Sequence, residues 1–353
     1  MAAPLAWIEA GRRFGFDELV HWRDRGHEPF ERAAGRIDTI VLGPHASAAF
    51  PRELAPFVAS TLTRRKQFDY SDVVTADLGR AWADADPRVA FVANPHSRLV
   101  LDPNRAPPAD AVAGLREFFA RLARARAGAD VSYAGIDAVR PVTFSGEDVL
   151  VEPRDEPGWN ALAAALSGAI AAGPATYRAA CVRVVDQVTR ARPGRRVLVV
   201  SLHDTMNTRM RADGAIVVER PTADRLPDWV NLGNRGDERG ERESDPLTVD
   251  GGELRRIAAA WSEALEATSG AITLNRPYKG AYETTAFGAT ITGHATGSGA
   301  VQVEFRREAL IGTAAIQALH GPGDDWPDFD LAHIRGVAAR LARAGAALRL
   351  DGD

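Results

Sequence analysis

The sequence predicts an α/β protein, and three observations support this. Short apolar runs recur along the chain, and longer Ala-, Leu- and Arg-rich segments with helical periodicity stand between them. The 353 residues are enough for a substantial core, and no clear linker divides them. We therefore expect a single domain over residues 1–353, with a core at about 36–312, an N-terminal extension at 1–35 and a closing helix at about 330–347.

Six apolar runs are predicted as strands, because each is short and bounded by polar or turn residues. They are IDTIVLG from Ile37, RVAFVAN from Arg88, RLVLD from Arg98, RVLVVSL from Arg196, AITL from Ala271 and AVQVEF from Ala300. Four segments are predicted as helices from their 3.6-residue period. They are Ala111–Ala127, Trp159–Arg192 with a break at Gly173 and Pro174, Gly252–Thr268 and Asp330–Ala347.

The most polar region runs from Met210 to Asp250 and contains NRGDERGERESDP. Its charges nearly cancel and it lacks helical periodicity, so we expect a long loop. Such a loop is either a solvated connection or a lid that closes over a substrate.

Composition argues against several classes of protein. The formal net charge of −4 gives no reason to expect a nucleic-acid or membrane-surface partner. The single cysteine, Cys181, is typical of a reducing cytoplasm. We find neither a signal peptide in the first residues nor an apolar run that could span a bilayer. We therefore expect a cytoplasmic protein that is an enzyme.

Two histidines stand just after predicted strands, where open α/β sheets gather their ligand-binding residues. His45 follows the first predicted strand and His203 follows the fourth. Either one could simply cap its strand, but a pair on separate strands favours a metal site, because imidazole is a common zinc ligand. Catalytic zinc has three protein ligands, so an acid is expected as the third.

The third ligand is expected in the segment FDYSDVVTAD, which offers Asp69, Asp72 and Asp77. Each of these acids could instead cap the helix that follows. The HExxH pattern of ordinary zincins does not occur in the sequence.

Other polar residues near the strand ends are candidates for catalysis or substrate binding. Glu304 lies in the last predicted strand, facing either solvent or the metal site. Arg98 and Arg105 bracket RLVLD, which suits bidentate binding of a substrate carboxylate, although both could be surface residues. The remaining candidates are Asn104, Asn275, Tyr278 and Lys279.

Five motifs together resemble the N-formylglutamate amidohydrolase family. They are VLGPHASAAFP, FVANPHSRLVLDPNR, VLVVSLHDTMN, LNRPYKGAYETTAFG and AVQVEFRREAL, and they span about His45 to Leu310. Each is weak alone, but the set is specific. The resemblance implies a zinc carboxypeptidase-like, aspartoacylase-like hydrolase fold (phosphorylase/hydrolase-like), which is a three-layer α/β fold with a mixed sheet flanked by helices.

The resemblance also implies roles for the matching residues. His45 and His203 match the family's zinc histidines, and Asp72 is the best match to the acid ligand. Glu304 matches the acid of Q-x-E, the general base. The substrate-binding matches are Arg98, Asn104, Arg105, Asn275, Tyr278 and Lys279. An oxyanion donor is expected from the region of Arg209, Arg211 or Tyr278.

The implied function is zinc-dependent hydrolysis of an N-acyl amino acid, with N-formyl-L-glutamate first among the substrates and one Zn²⁺ per chain. The alternatives are another N-acyl amino acid or a small peptide as substrate, or a carboxylate-binding protein without turnover. Three departures from the family stand out: Ala46 and Ser47 replace Ser-Gly, Asp204 replaces the serine after His203, and TYRAACVRV lacks a histidine. Asp204 is expected either to orient His203 or to mark a changed substrate.

Overall fold

A seven-stranded mixed sheet with helices on both faces organises the chain, of which the computed structural model describes residues 4–350. The strands are β1 (Trp7–Ile8), β2 (Val20–His21), β3 (Thr39–Gly43), β4 (Phe50–Pro51), β5 (Val89–Ala93), β6 (Leu198–Thr205), β7 (Thr208–Met210), β8 (Ile216–Glu219), β9 (Val230–Gly233), β10 (Ile272–Leu274) and β11 (Gly299–Arg306). The helices are α1 (Phe16–Leu19), α2 (Phe30–Ala33), α3 (Arg64–Asp69), α4 (Val74–Ala85), α5 (Ala111–Arg126), α6 (Glu156–Ala172), α7 (Pro174–Ala191), α8 (Gly251–Ala264), α9 (Tyr282–Ile291), α10 (Glu308–Ile311), α11 (Thr313–His320) and α12 (Leu331–Leu350). Two 3₁₀ turns occur at Arg52–Phe57 and Thr222–Asp224.

The centre of the sheet consists of four parallel strands in the order β11, β6, β3, β5. β2 pairs with β5 in the antiparallel sense at one edge. At the other, β9 runs antiparallel to β11 and is followed by β10. Val41 and Val200 pack in the core with α4, α8 and α12, whereas Ile40 and Val199 pack in the core with α7. Burial of both faces explains why the central strands read as continuous apolar runs.

The predicted α/β class is confirmed, and so are most of its elements. Five of the six strand predictions correspond to β3, β5, β6, β10 and β11, and the helix predictions correspond to α5, α6–α7, α8 and α12. The predicted break lies at Gly173, between α6 and α7. A Cβ at this position would lie 2.2 Å from the His96 ring, so the packing requires glycine here.

The strand predicted at RLVLD is wrong. Residues 98–100 form a turn and 101–102 have no regular structure. Leu99, Val100 and Leu101 are buried in a separate apolar cluster with residues of α5 and α6. The apolar run therefore records burial beneath helices rather than membership of the sheet, and periodicity cannot distinguish the two.

The prediction of one long loop over Met210–Asp250 is also wrong. The region contains β8, which pairs with β7, and β9, which lies in the main sheet. Val230 and Leu232 of β9 are fully buried in the core. β2, which lies within the predicted N-terminal extension, pairs with β5 in the main sheet. None of the helices in the described range is long and apolar enough to cross a membrane.

Candidate metal centre and substrate cavity

Three buried side chains from separate segments converge near the carboxyl ends of β3 and β6. His45 Nδ1 and His203 Nδ1 each lie 2.9 Å from Asp72 Oδ2, and the two ring nitrogens are 3.2 Å apart. All three residues are less than a tenth exposed. Within residues 4–350, they are the one group of three or more His, Cys, Asp or Glu side chains arranged to hold a metal ion.

Local structure explains how the chain brings these residues together. β3 ends at Gly43, two residues before His45, and a Cβ on Gly43 would lie 2.9 Å from the Phe91 ring, so packing against β5 requires glycine here. The backbone N–H of Asp72 donates to the carbonyl of His45 at 3.0 Å, which fixes the acid beside the histidine. His203 lies within β6 rather than after it, because the strand continues to Thr205.

The donor set fits a zinc ion. Two ligand atoms held at tetrahedral angles around one zinc ion lie roughly 3.4 Å apart. The observed separations of 2.9 and 3.2 Å are close to that value. Two imidazoles and one carboxylate are also typical of catalytic zinc, which keeps a fourth position open. Two Nδ1 atoms facing each other would both be satisfied by a cation between them.

Asp102 holds the opposite side of the His45 ring. Its Oδ1 lies 2.7 Å from His45 Nε2, while its Oδ2 accepts a hydrogen bond from Arg98 Nη2 at 2.6 Å. An imidazole that donates its Nε2–H to a carboxylate presents the Nδ1 lone pair to a metal. Asp102 was not among the residues predicted to be functional, although it stands at the start of DPNR. Its distance from Asp72 along the chain gave no signal that both acids meet one histidine.

The ring of His203 is held by a second buried network. Ser201 Oγ lies 3.0 Å from His203 Nε2 and donates its proton to Glu283 at 2.8 Å. Tyr177 donates to the other oxygen of Glu283, also at 2.8 Å. Asn104 Nδ2 lies 3.2 Å from the same His203 nitrogen. Both histidines therefore have their outward nitrogen engaged and their Nδ1 atoms turned towards Asp72.

Neighbouring charges shift the pKa values of His45 and Asp72 in opposite directions. Burial and the Arg98 charge lower the pKa of His45, but the Asp102 and Asp72 carboxylates outweigh them and raise it to about 9. Burial alone would raise the pKa of Asp72, but the two histidines hold it well below its ordinary value. The ionised acid is therefore ready to bind a cation, and a metal ion would replace the imidazolium proton.

Glu304 lies beside this group. In the parallel pairing of β11 with β6, Glu304 is the register partner of His203. Its Oε1 accepts from Thr205 Oγ1 at 2.6 Å and its Oε2 accepts from Gln302 Nε2 at 3.3 Å. Burial raises the pKa of Glu304, although the nearby His203 counteracts part of this shift. A buried carboxylate with a raised pKa, facing a cavity, has the properties of a general base.

The other two candidate acids lie elsewhere. Asp69 is 3.7 Å from Arg307 and lines the cavity described below, but it does not belong to the histidine group. Asp77 lies in the first turn of α4, away from that cavity. The structure thus brings Asp72 together with the histidines and leaves the two alternatives apart.

A cavity of about 530 Å³ opens onto the candidate metal group. His45, Asp72, His203 and Glu304 line it. Of the predicted substrate-binding residues, it also includes Arg98, Asn104, Arg105, Arg209, Tyr278 and Lys279. Asn275 does not line the cavity, because its amide is buried against Asn234 and the carbonyl of Asp237.

Asp204 does not orient His203. Its carboxylate pairs with Arg307, which also donates to the carbonyl of Ser71 at 2.7 Å. Burial raises the pKa of Asp204 to about 7, while the Arg307 charge acts in the opposite direction. The pair therefore joins β6 to the segment that carries Asp72, a structural role that sequence reasoning did not anticipate.

Comparison with known proteins connects the chain to a family. A sequence model described as N-formylglutamate amidohydrolase matches residues 37–311. An N-formylglutamate amidohydrolase structure from Ralstonia eutropha JMP134 is 18% identical, with a TM-score of 0.50, over 89% of this chain and 95% of that one. A gene product of Agrobacterium tumefaciens is 17% identical with a TM-score of 0.50, over 91% of this chain and 94% of that one. No curated protein sequence matches the chain.

Proposed function

The chain belongs to the N-formylglutamate amidohydrolase family, and we propose that it hydrolyses the amide bond of an N-acyl amino acid at a zinc centre. N-formyl-L-glutamate is the leading substrate, with formate and glutamate as products. As part of the same proposal, residues 1–353 form one domain of the zinc carboxypeptidase-like, three-layer type. His45, Asp72 and His203 hold one Zn²⁺ per chain.

One observation carries the proposal: two buried imidazoles and a carboxylate meet within hydrogen-bond distance at the bottom of a cavity that also contains a buried glutamate. Bound Zn²⁺ supplies Lewis acidity, which polarises a scissile carbonyl and lowers the pKa of water. Asp102 and Ser201 keep the two imidazole rings in the orientation that presents Nδ1.

Glu304 acts as the general base and then as the acid. It removes a proton from the attacking water and delivers it to the departing amine nitrogen. Its hydrogen bonds with Thr205 and Gln302 restrict the carboxylate to one orientation facing the cavity. Burial raises the pKa of Glu304, so its carboxylate takes up a proton more readily than that of an exposed glutamate.

Substrate orientation depends on the remaining cavity residues. Asn104 and Arg105 bind the amino-acid carboxylate and so align the amide with the metal group. Arg98 contributes indirectly, because its guanidinium is committed to Asp102. Tyr278 and Arg209 also line the cavity and are the donors proposed for the developing oxyanion. Lys279 pairs with Glu243 at the rim, and Asn275 shapes the loop that carries Tyr278.

Metal analysis combined with a formate-release assay tests the proposal. We expect about one zinc per chain, loss of formate release on chelation, and recovery on adding zinc. N-acetyl- and N-succinyl-L-glutamate, assayed by release of glutamate, determine the acyl preference. Protein that neither contains nor regains zinc, and releases no glutamate from any of the three substrates, would refute the enzymatic proposal.

A further inference from the structure

Glu283 is a buried acid to which the hydrolysis proposed above gives no role. It lies in the first turn of α9, is 3% exposed and does not line the cavity. Its oxygens accept hydrogen bonds from the hydroxyl groups of Ser201 and Tyr177, both at 2.8 Å. Burial raises the pKa of Glu283, and the hydrogen bond from Ser201 opposes that shift. Burying a carboxyl group costs free energy, so its position behind the metal group calls for a function.

The hydrogen bonds to Glu283 determine what Ser201 can do for its other neighbour. Burial raises the pKa of Tyr177 well above its ordinary value, so the phenol keeps its proton and donates it to Oε1. Ser201 donates its single proton to Oε2. A hydroxyl whose proton is already donated can only accept from a second group. Ser201 Oγ, which lies 3.0 Å from His203 Nε2, is therefore an acceptor for a proton on that nitrogen.

Asn104 acts on the same ring nitrogen in the opposite sense. Its Oδ1 accepts from the backbone N–H of Glu283 at 3.0 Å, which turns Nδ2 towards His203 Nε2 at 3.2 Å. An NH₂ group only donates, so Asn104 favours the tautomer with a lone pair on Nε2 and the proton on Nδ1. That proton would point at Asp72 and block metal binding through Nδ1. The two neighbours of Nε2 therefore favour different tautomers.

The carboxylate of Glu283 decides between these tautomers. While it takes the Ser201 proton, the hydrogen bonds run in one direction, from His203 Nε2–H to Ser201 and from Ser201 to Glu283. Consecutive hydrogen bonds in a buried environment strengthen one another. Without the carboxylate, Ser201 could donate to Nε2 together with Asn104, and both would then favour the tautomer that cannot bind a metal through Nδ1.

We propose that Glu283 is a positioning residue that acts through Ser201 to keep the ring proton of His203 on Nε2, which leaves Nδ1 free for the metal. The proposal rests on the function proposed above, in which His203 is a zinc ligand. Glu283 would do for His203 what Asp102 does for His45, with one hydroxyl group inserted between the carboxylate and the imidazole.

Zinc affinity in a double-mutant cycle, measured by competition with a chromogenic chelator, tests the path through Ser201. Glu283→Leu and Ser201→Ala should each weaken zinc binding by about 10-fold, the lower end of the range for residues that orient a metal-binding histidine. The double variant should lose no more than either single variant, because both changes interrupt one path. Glu283→Gln keeps an oxygen that can accept from Ser201 and should retain part of the affinity.

Thr284→Val is the matched control for Glu283→Leu. Thr284 is the next residue of α9, is fully buried outside the cavity lining, and has no hydrogen-bond partner for its hydroxyl among the described residues. The substitution therefore makes a neighbouring buried side chain apolar without touching the path to His203. Zinc affinity should stay at the wild-type value in this variant.

The position of the His203 ring proton in the metal-free protein separates this inference from the proposed function. Nitrogen-15 NMR of labelled histidine distinguishes the two tautomers. A shift of His203 towards the Nδ1–H tautomer in Glu283→Leu, absent in Thr284→Val, supports the role of Glu283 even if the protein binds no zinc. Should Glu283→Leu fail to fold, Glu283→Gln should show the same shift at smaller size.

Two results would overturn the inference even if the wild-type protein proves to be a zinc amidohydrolase. One is an unchanged His203 tautomer in the folded Glu283 variants. The other is a loss of zinc affinity in the double variant equal to the sum of the two single losses in free energy, because additivity means that Glu283 does not act through Ser201.

Discussion

Replacing Asp102 with asparagine tests the proposed metal centre through a residue that does not touch the metal. Asp102 is buried, and its two oxygens face His45 Nε2 at 2.7 Å and Arg98 Nη2 at 2.6 Å. The asparagine side chain would have nearly the same shape but no charge. Its amide would either offer NH₂ to His45, which favours the wrong tautomer, or offer NH₂ to Arg98, which cannot accept a hydrogen bond.

The size of the effect follows from these two contacts. Loss of a carboxylate that orients a metal-binding histidine typically weakens metal affinity by about 10- to 100-fold, or roughly 1.4–2.7 kcal/mol. Removing one partner of a buried ion pair costs about 3–5 kcal/mol of folding free energy. Arg98 retains Asp72 at 3.8 Å, so we expect a loss at the lower end, about 3 kcal/mol.

Zinc affinity is measured by competition with a chromogenic chelator, and stability by urea unfolding of the metal-free protein. Asp148→Asn is the control, because it removes a carboxylate from an exposed pair with Arg126 and should change stability by less than about 0.5 kcal/mol. Unchanged zinc affinity in folded Asp102→Asn would refute the assignment of His45 as a ligand oriented by Asp102. A stability loss no greater than that of the control would refute the buried-pair argument.

Three further predictions concern single residues. His203→Ala should remove zinc and activity together, while the exposed His320→Ala should keep both; full zinc content in the first variant would mean that His203 is not a ligand. Glu304→Gln should keep zinc but lower kcat by about 10²- to 10⁴-fold, and near-normal turnover would assign the base elsewhere. Burial lowers the pKa of His96 from 6.5 to about 4, so the unfolded chain takes up its proton first and stability falls as pH drops from 6.5 towards 4. The free energy of unfolding should fall by about 3 kcal/mol over this pH range. Urea unfolding at about pH 7 and pH 4.5 should show that this free energy depends less on pH in His96→Gln than in the wild-type protein. Equal pH dependence in the two proteins would contradict the prediction.

Much of the fold was predictable because the buried strands are encoded locally. Strands β3, β5 and β6 are covered on both faces, so each reads as an uninterrupted apolar run. The same rule failed at Leu99–Leu101, where burial beneath α5 and α6 gives the same signal without a strand. It also failed at β9, a four-residue strand within a polar region. Its place in the sheet depends on pairing with β11 and β10, which no local pattern records.

Residues of the candidate site could be predicted where they lie at the ends of strands. They could not be predicted where only contacts between distant parts of the sequence bring them to the site. His45 and His203 could be paired because parallel strands β3 and β6 deliver both to one edge. The third metal ligand could be narrowed only to a segment with three acids. The choice of Asp72 among them depends on how the chain folds between β4 and α4. Asp102 went unassigned, because its two partners are fixed by three-dimensional packing.

The cations of the cavity show why charge along a sequence does not identify a binding group. Arg98 and Arg220 carry the same charge, and the sequence drew attention to Arg98 because it borders an apolar run. In the structure, Arg98 is neutralised by Asp102 at 2.6 Å, whereas Arg220 has a hydrogen bond to Tyr278 and no paired carboxylate among the described residues. Each internal ion pair reduces what a guanidinium can offer to a substrate anion, because the paired donors are already satisfied. The positive charge available to a substrate is therefore the charge that internal ion pairs do not neutralise. It can be identified only from a structure that places all the side chains around the cavity.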